Sequence, residues 1–266
     1  MNRPETPPAI PDVQSHPDIR ALAIERVGIR GLRYPILFAD GETVPQPTVA
    51  SCSIYVSLPA ERKGTHMSRL VAIIDSMPEP LSLATLPQLL DTVIAKLDAP
   101  GARIELDFPW FIRKAAPVSG VGSLMDYEVK LAAELAGARR SLSATVIVPV
   151  MSLCPSSKAI ADYGAHNQRS HLTLAVHPRE ATAIRLAELV AIAEEEASCE
   201  LYGLLKRSDE KYVTERAYDR PRFVEDLVRG IAARLIDDPR LEGFRVEAEN
   251  FESIHNHSAY AAIVRD

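Results

Sequence analysis

The sequence predicts an α+β fold in which antiparallel strands form a sheet and helices cover one of its faces. Runs rich in β-branched and aromatic residues occur in pairs along the chain. Segments with apolar residues at helical spacing separate one pair from the next. The order strands, helix, strands occurs once in each half of the 266 residues. Pairs of antiparallel strands that are linked through helices lead to a sheet with helices layered on one face.

In the first half, the clearest strand is residues 49–58 (VASCSIYVSL), which are rich in β-branched and aromatic residues. Leucine, valine and isoleucine recur at helical spacing over residues 86–97, and Pro100 with Gly101 is predicted to stop that helix. Residues 66–75 are predicted to extend the sheet. The full set of predicted strands is 21–38, 49–58, 66–75, 102–114 and 127–135.

The second half repeats this plan without any repeat of individual residues. Its predicted strands are residues 144–151, 170–177, 244–249 and 258–264, and its predicted helices are residues 184–197 and 222–236. A sheet of this kind has exposed edges, which favour closure into a larger ring by oligomerisation.

Three segments follow from this pattern. Residues 1–18 contain five prolines and few large apolar side chains, which predicts an unstructured arm. Residues 19–138 form the first predicted unit, and residues 139–266 form the second, which carries most of the candidate site residues.

Composition narrows the class of function. A formal net charge of -6 argues against a broad nucleic-acid surface, so an anionic small substrate needs a local basic pocket. Three cysteines make a poor disulfide framework and suit a reducing compartment. No apolar run approaches the length of a membrane span, and the N-terminal residues contain no apolar segment after a basic start. We therefore expect a soluble cytoplasmic protein with no nucleic-acid or membrane partner.

The densest polar segment is residues 153–170 (LCPSSKAIADYGAHNQRS), which follows a predicted strand. Its Cys154 and His166 are far enough apart for a loop to return both side chains to one point. Thiolate and imidazole together suit Zn²⁺ or a similar divalent ion. The alternative is that a cysteine at a strand end is a small buried apolar residue.

Two further segments contain titratable clusters. Glu252, His255 and His257 lie within six residues and could supply metal ligands or a proton shuttle, or else belong to a solvated edge strand. Glu210 and Glu225 lie in or beside a predicted loop that leads into a helix. Acidic residues at a helix start are also explained by the helix dipole alone.

A basic segment occurs at residues 62–69 (RKGTHMSR). Lys63, His66 and Arg69 could hold a triphosphate through charge-assisted hydrogen bonds, although a solvated basic turn accounts for the same residues. The glycine-rich signatures of P-loop and Rossmann nucleotide sites are absent from the sequence.

Taken together, the motifs resemble the type IB GTP cyclohydrolases over nearly the whole chain, in order, with only the proline-rich arm outside the match. The segments that carry the resemblance are GIRGLRYPI, GTHMSR, CPSSKAIADYGAHNQRS, DEKYVTERAYDRPRFVED and ESIHNHSAYA. The resemblance implies two tunnelling-fold units in tandem, a homotetramer with sites at subunit interfaces, and hydrolysis of GTP to formate and 7,8-dihydroneopterin triphosphate.

The resemblance also implies roles for individual residues. Cys154, His166 and Glu210 match the ligands of a divalent metal, Zn or Mn, and Cys154 is also a key active-site residue. Glu225 matches the carboxylate that anchors the guanine edge. The family's catalytic acid and histidine correspond to Glu252 and His255, and we assign to His255 the proton transfer to the purine N7. The triphosphate is assigned to Lys63, His66 and Arg69.

The chain departs from many relatives at Ser156 and Ala159, which affects contacts within the loop but none of the matched residues. Two alternatives stay open. The first is another tunnelling-fold enzyme, such as a pterin- or deazapurine-forming one with a different ligand set. A reductase acting on a nitrile would use the thiolate as a nucleophile and require NADPH. An inactive scaffold of the same fold would bind no metal.

Overall fold

The computed structural model describes residue 14 and residues 16–266. Most of the predicted arm, residues 1–18, therefore lies outside the described residues. No helix within residues 16–266 is long and apolar enough to cross a membrane.

One antiparallel sheet organises the described chain. Eight of its strands follow the order β1-β2-β3-β4-β5-β6-β8-β9, and the short β7 pairs with β5 away from this path. The strands are β1 (Ile24–Phe38), β2 (Gln46–Leu58), β3 (Ala102–Ala115), β4 (Gly122–Ala136), β5 (Arg139–Leu153), β6 (Asn167–Pro178), β7 (Cys199–Glu200), β8 (Leu241–Asn250) and β9 (Ala259–Arg265). All the predicted strands except residues 66–75 are confirmed.

Six helices accompany the sheet in the described part. They are α1 (Met67–Asp75), α2 (Leu86–Leu97), α3 (Pro155–Ile160), α4 (Leu186–Glu196), α5 (Arg207–Asp219) and α6 (Val224–Leu235). Alternate residues of the central strands are buried beneath the main helices, as Leu172, Leu174 and Val176 of β6 are. This alternation is typical of a sheet that is covered on one face. The predicted α+β class, with an antiparallel sheet and helices on one face, is confirmed.

The helix predicted over residues 86–97 agrees with α2 at both ends. Five of its residues are buried on one face: Leu86, Leu89, Leu90, Val93 and Leu97. The chain leaves the helix at Asp98, which adopts the left-handed conformation with φ of 48°. The helix therefore ends before Pro100, through a left-handed C-terminal residue of the kind that commonly closes helices.

The strand predicted at residues 66–75 is wrong, because this segment forms α1. Its β-branched and apolar residues suggest a strand when they are considered one by one. The residues that are buried are Leu70, Ile73 and Ile74, whose spacing of three and one places them on one face of a helix.

The loop predicted around Glu210 is also wrong, because Arg207–Asp219 is helix α5. This helix is polar on most of its surface, and its buried residues are Asp209, Val213 and Ala217. They recur every four positions and form a stripe too narrow to dominate the sequence pattern.

The connections between strands divide the sheet into two ends. The links β1–β2, β3–β4, β5–β6 and β8–β9 lie at one end, which we call the hairpin end. The turn between β4 and β5, at residues 137–138, lies at the other end with the links to α1 and α4. Each half runs two strands, helices and two strands, and the two halves share one continuous sheet.

Candidate active site

The connection from β5 to β6 begins with Cys154, at the hairpin end of the sheet. Cys154 is the residue before α3, and its Sγ accepts the backbone N–H of Ser157 at 3.4 Å. Its own backbone N–H donates to the carbonyl of His166 at 3.1 Å. The loop therefore returns His166 to the residue from which it started, as the spacing predicts, and both residues are half-buried.

Burial separates Cys154 from the other two cysteines. Cys52 and Cys199 are fully buried, and burial raises the pKa of Cys52 to about 11 and that of Cys199 to about 12. A thiol buried in this way is inert, because the thiolate is the form that binds metals and attacks carbon. Cys154 is the cysteine whose side chain reaches solvent.

The imidazole of His166 has its hydrogen-bond partners at Nδ1. The Oε1 atom of Gln168 lies 3.0 Å from Nδ1, and the hydroxyl of Ser253 lies at 3.5 Å. The first distance is normal for a hydrogen bond and the second is at its outer limit. Gln168, which is buried, is therefore the close partner of His166.

A buried chain of polar side chains continues from Gln168 across three strands. Gln168 Nε2 donates to Ser152 Oγ at 2.7 Å, the hydroxyls of Ser152 and Ser170 lie 2.7 Å apart, and Ser170 Oγ donates to Asn250 Oδ1 at 2.7 Å. We call Gln168, Ser152, Ser170 and Asn250 the polar chain. Buried polar groups that are all paired in this way are rigid, because breaking any link leaves an unsatisfied group.

The motifs of the sequence do not include the polar chain, although the alternation of the strands contains a signal for it. Gln168 and Ser170 occupy the same phase of β6 as Leu172, Leu174 and Val176, which are core residues. Polar residues in the core phase of a strand are uncommon and indicate either hydrogen-bond partners or a site.

The loop between β8 and β9 carries Glu252, His255 and His257, and it starts directly after Asn250 of the polar chain. The two histidine rings are exposed and stack with centroids 5.2 Å apart, whereas Glu252 is half-buried. The contact of Ser253 with His166 brings this loop beside the β5–β6 connection.

Glu225 lies in the first turn of α6 and is exposed to solvent. The backbone N–H of Arg222, just before the helix, donates to the carbonyl of Leu153 at 2.9 Å. The start of α6 is therefore fastened to the residue that precedes Cys154. The predicted guanine anchor and the predicted thiolate thus belong to neighbouring segments of the hairpin end.

Glu210 lies at the other end of its helix from the loop of Cys154. The ammonium of Lys158 in α3 lies 4.1 Å from the ring centroid of Tyr218, near the end of α5. Glu210 precedes Tyr218 by eight positions, roughly 12 Å along a helix axis. Across the described residues, no three His, Cys, Asp or Glu side chains come together as a group that could hold a metal. One chain therefore brings Cys154 and His166 together without Glu210.

The three residues predicted to hold the triphosphate lie at the opposite end of the sheet. Lys63, His66 and Arg69 follow the end of β2. Near that end Val56 pairs with Ala102 of β3, Ala102 pairs with Leu135 of β4, and Leu135 pairs with Arg140 of β5. Arg140 and Leu153 are 13 positions apart in β5. This separation is roughly 40 Å along a strand at about 3.3 Å per residue.

His66 and Arg69 do line a cavity of their own. It has a volume of about 330 Å³, and Arg62, Gly64 and Thr65 also contribute to it. Within one chain, this basic cavity and the site around Cys154 are separate.

Comparison with known proteins identifies the family. Residues 10–261 match the family model described as type I GTP cyclohydrolase folE2. The chain belongs to this family. The GTP cyclohydrolase FolE2 of Herminiimonas arsenicoxydans is 57% identical over 258 residues, which cover 97% of this chain and 98% of the relative. The FolE2 of Paraburkholderia xenovorans is 53% identical over 266 residues, or 100% of this chain and 98% of the relative.

Solved structures with a similar fold include uricases. The uricase of Arthrobacter globiformis has a TM-score of 0.50 at 8% identity, covering 91% of this chain and 93% of the uricase. A hyperthermostable mutant of the urate oxidase of Bacillus sp. TB-90 has a TM-score of 0.54 at 8% identity, covering 91% and 99%. At these identities the likeness concerns the fold alone.

Proposed function

We propose that this chain is a GTP cyclohydrolase, a hydrolase acting on cyclic amidines, which converts GTP and water to formate and 7,8-dihydroneopterin triphosphate. The observation that carries the proposal is the family match over residues 10–261, together with a half-buried thiol and an imidazole joined through one loop. The product is a precursor in folate biosynthesis. The type IB label is narrower than the family description, type I GTP cyclohydrolase FolE2, and stays part of the proposal.

Cys154 and His166 would hold a divalent metal, Zn or Mn. Sulfur and nitrogen donors suit such ions, and the thiol and imidazole belong to residues whose backbones are hydrogen-bonded to each other. Glu210 is proposed as the third ligand. Because Glu210 lies apart from Cys154 and His166 within one chain, we assign it to a site that forms between subunits of the oligomer. When bound, the ion supplies Lewis-acid activation of the attacking water.

The remaining residues bind the substrate and move protons. The Glu225 carboxylate accepts two N–H groups of the guanine edge, which selects guanine over adenine because adenine has a different donor pattern. His255 transfers a proton to the purine N7, which makes C8 more electrophilic, and Glu252 assists in the same loop. Exposure of His255 and its neighbours leaves this loop accessible to a bound nucleotide.

The triphosphate is assigned to Lys63, His66 and Arg69 of another subunit. This assignment requires an oligomer, and we propose a homotetramer of tandem tunnelling-fold units with the boundary at residues 138/139. Two features support it. Within the described residues β1 and β9 each pair with one neighbour only, so both edges of the sheet can accept a partner. The halves also repeat one order of elements. Cytoplasmic location stays a prediction of the sequence.

The decisive assay is release of formate and of fluorescent pterin from GTP, without any nicotinamide, after loading the protein with Zn²⁺ or Mn²⁺. Cys154→Ala is expected to abolish turnover without unfolding the protein, and chelation is expected to do the same. Cys52→Ala, which removes a buried thiol, is the matched control and is expected to keep turnover. Full activity in thorough chelator would contradict the metal, and full activity of Cys154→Ala would contradict the ligand.

Assembly is tested separately by light scattering on the active protein. A tetramer is expected. Mixed oligomers of Cys154→Ala and Arg69→Ala subunits should regain part of the activity if each site draws on two chains. An active monomer at assay concentration would contradict both the tetramer and the shared site.

A further inference from the structure

The hydrogen bonds of the polar chain run in one direction. With Asn250 Oδ1 as the acceptor, Ser170 uses its single hydroxyl proton on Asn250, and the bond between the two serines is then donated by Ser152. Ser152 in turn accepts from Gln168 Nε2. The amide of Gln168 is thereby oriented with its oxygen toward His166, at 3.0 Å from Nδ1.

This orientation determines which nitrogen of His166 carries the proton. An amide oxygen only accepts hydrogen bonds, so the ring nitrogen that faces it must be protonated. A neutral imidazole has one protonated nitrogen, and Nε2 therefore keeps its lone pair.

We propose that Gln168 is a positioning residue that sets the Nδ1–H tautomer of His166, and that Ser152, Ser170 and Asn250 keep Gln168 in the required orientation. The inference rests on the proposed function, in which His166 is a metal ligand. Metal-binding histidines usually donate the N–H of the other nitrogen to an acceptor, which fixes the ring and increases the basicity of the ligating nitrogen. Here the acceptor is a neutral amide that is itself held by a buried serine.

The burial of the polar chain explains why three further residues are needed. A glutamine amide can turn over and exchange its oxygen for its nitrogen, which would direct a second donor at Nδ1–H. In this chain that exchange would also place the amide oxygen against Ser152, and the serine protons and Asn250 would have to reorient as well. Reversal of the amide therefore requires all four side chains to reorient together, because a partial reversal leaves a buried unsatisfied group.

The first test reads the tautomer directly, in the full-length protein without metal. Two-bond ¹⁵N–¹H correlation spectra of the histidine rings at pH 9, above the typical histidine pKa of about 6.5, report which nitrogen is protonated. The signals of His166 are identified by their loss in His166→Asn. We expect a protonated Nδ1 on His166. A proton on Nε2 instead would overturn the proposal, whatever the enzyme does with GTP.

The second test compares variants by Zn²⁺ affinity and by turnover. Gln168→Leu removes the acceptor and is expected to weaken Zn²⁺ binding by about 10–100-fold, the usual effect of losing such a partner, and to lower kcat more than it raises KM for GTP. Gln168→Glu keeps an acceptor for Nδ1–H and is expected to recover most of the affinity. Ser170→Ala breaks the chain further from the ring, so its loss should be smaller than that of Gln168→Leu.

The outcomes separate the two proposals. Unchanged Zn²⁺ affinity in a folded Gln168→Leu protein, or equal losses in Gln168→Leu and Gln168→Glu, would overturn the positioning role. If Gln168→Leu fails to fold, the spectra of the unchanged protein still decide the tautomer. A protein that has the Nδ1–H tautomer and the affinity pattern but releases no formate would refute the cyclohydrolase and keep the positioning role.

Discussion

The two halves of the sheet bury different kinds of side chain at the hairpin end of their core face. Toward the hairpin end of the first half, the core face carries four buried aromatic rings, Phe38, Phe108, Trp110 and Tyr127, whose neighbouring centroids lie 4.7 to 6.3 Å apart. In the second half the strands end instead in Ser152, Gln168, Ser170 and Asn250, joined by hydrogen bonds. The first arrangement buries a large apolar area, and the second buries groups that give little net stability.

This difference indicates a division of labour between the halves. Aromatic packing stabilises the sheet at the first hairpins, where no candidate catalytic residue lies. The polar chain occupies core volume without comparable hydrophobic gain, and it ends beside His166 and the loop of His255. If the comparison holds, substitutions near the polar chain should affect chemistry, and substitutions among the aromatic rings should affect stability.

Among the substitutions that test this comparison, the largest expected effect is on catalysis, at His255. His255→Ala should lower kcat by about 10²–10⁴, the range for a lost general acid–base group, with little change in the unfolding temperature because the ring is exposed. Turnover by formate release and thermal unfolding measure the two effects. His257→Ala is the matched control, since it removes the stacked neighbour in the same loop, and equal losses in both variants would refute a specific role for His255.

The largest expected effect on stability is at Trp110. Trp110→Ala should lower the free energy of unfolding by about 3–5 kcal/mol, because it removes a buried ring that contacts Phe38 and Tyr127. Denaturant titration measures this loss, and Trp110→Phe should lose less. The activity per folded molecule should be retained, and a selective fall in kcat would contradict the division between the halves.

A smaller effect is expected on substrate binding at Glu225. Glu225→Gln turns one acceptor into a donor that faces a guanine N–H, which costs about 1.5–3 kcal/mol and weakens binding of unreactive GTP analogues at least tenfold, at about 1.4 kcal/mol per factor of ten. Calorimetry measures the affinity. Asp226→Asn, in the same turn, should affect the helix start that it caps and leave the affinity unchanged. If Glu225→Gln binds the GTP analogues as tightly as the parent, Glu225 does not anchor the guanine edge.

The last expected effect is a pH dependence of stability at Asp209, which joins the halves at the hairpin end. Burial raises the pKa of Asp209, but hydrogen bonds from the Ser119 hydroxyl and from the backbone N–H groups of Ser119, Lys206 and Val118 outweigh it and hold the pKa well below its usual range. A lowered folded-state pKa contributes stability that is present above the unfolded pKa of about 3.9 and is lost as pH falls below it.

Asp209→Asn should therefore be less stable than the parent at neutral pH and lose less stability on acidification. Denaturant titrations at a series of pH values between about 2.5 and 7 measure this difference, with the exposed Asp162→Asn as the control. Parallel pH profiles of the parent and Asp209→Asn would show that the carboxylate does not link the β3–β4 turn to α5.

The local pattern of apolar residues was sufficient to predict most helices and strands. The prediction failed for helices in which only a few residues are buried. Helix α2 was predicted at both ends because five buried residues repeat at helical spacing. Helix α1 was predicted as a strand, since its short apolar run is compatible with both the strand period and the helix period. Only packing against the rest of the fold determines which residues are buried. Helix α5 was predicted as a loop because its buried stripe has one residue per turn.

The sequence by itself determined the α+β class, the strand pairs of both halves and a resemblance to GTP cyclohydrolases, and it allowed the adjacency of Cys154 and His166, because these depend on periodicity and on motifs within one continuous segment. Only the tertiary structure decided the polar chain, the separation of Lys63, His66 and Arg69 from Cys154, and the distance of Glu210 from that loop. These relations depend on strand register and on which face each helix presents. Register joins residues up to 80 positions apart, as between Ser170 and Asn250, and no local pattern contains that information.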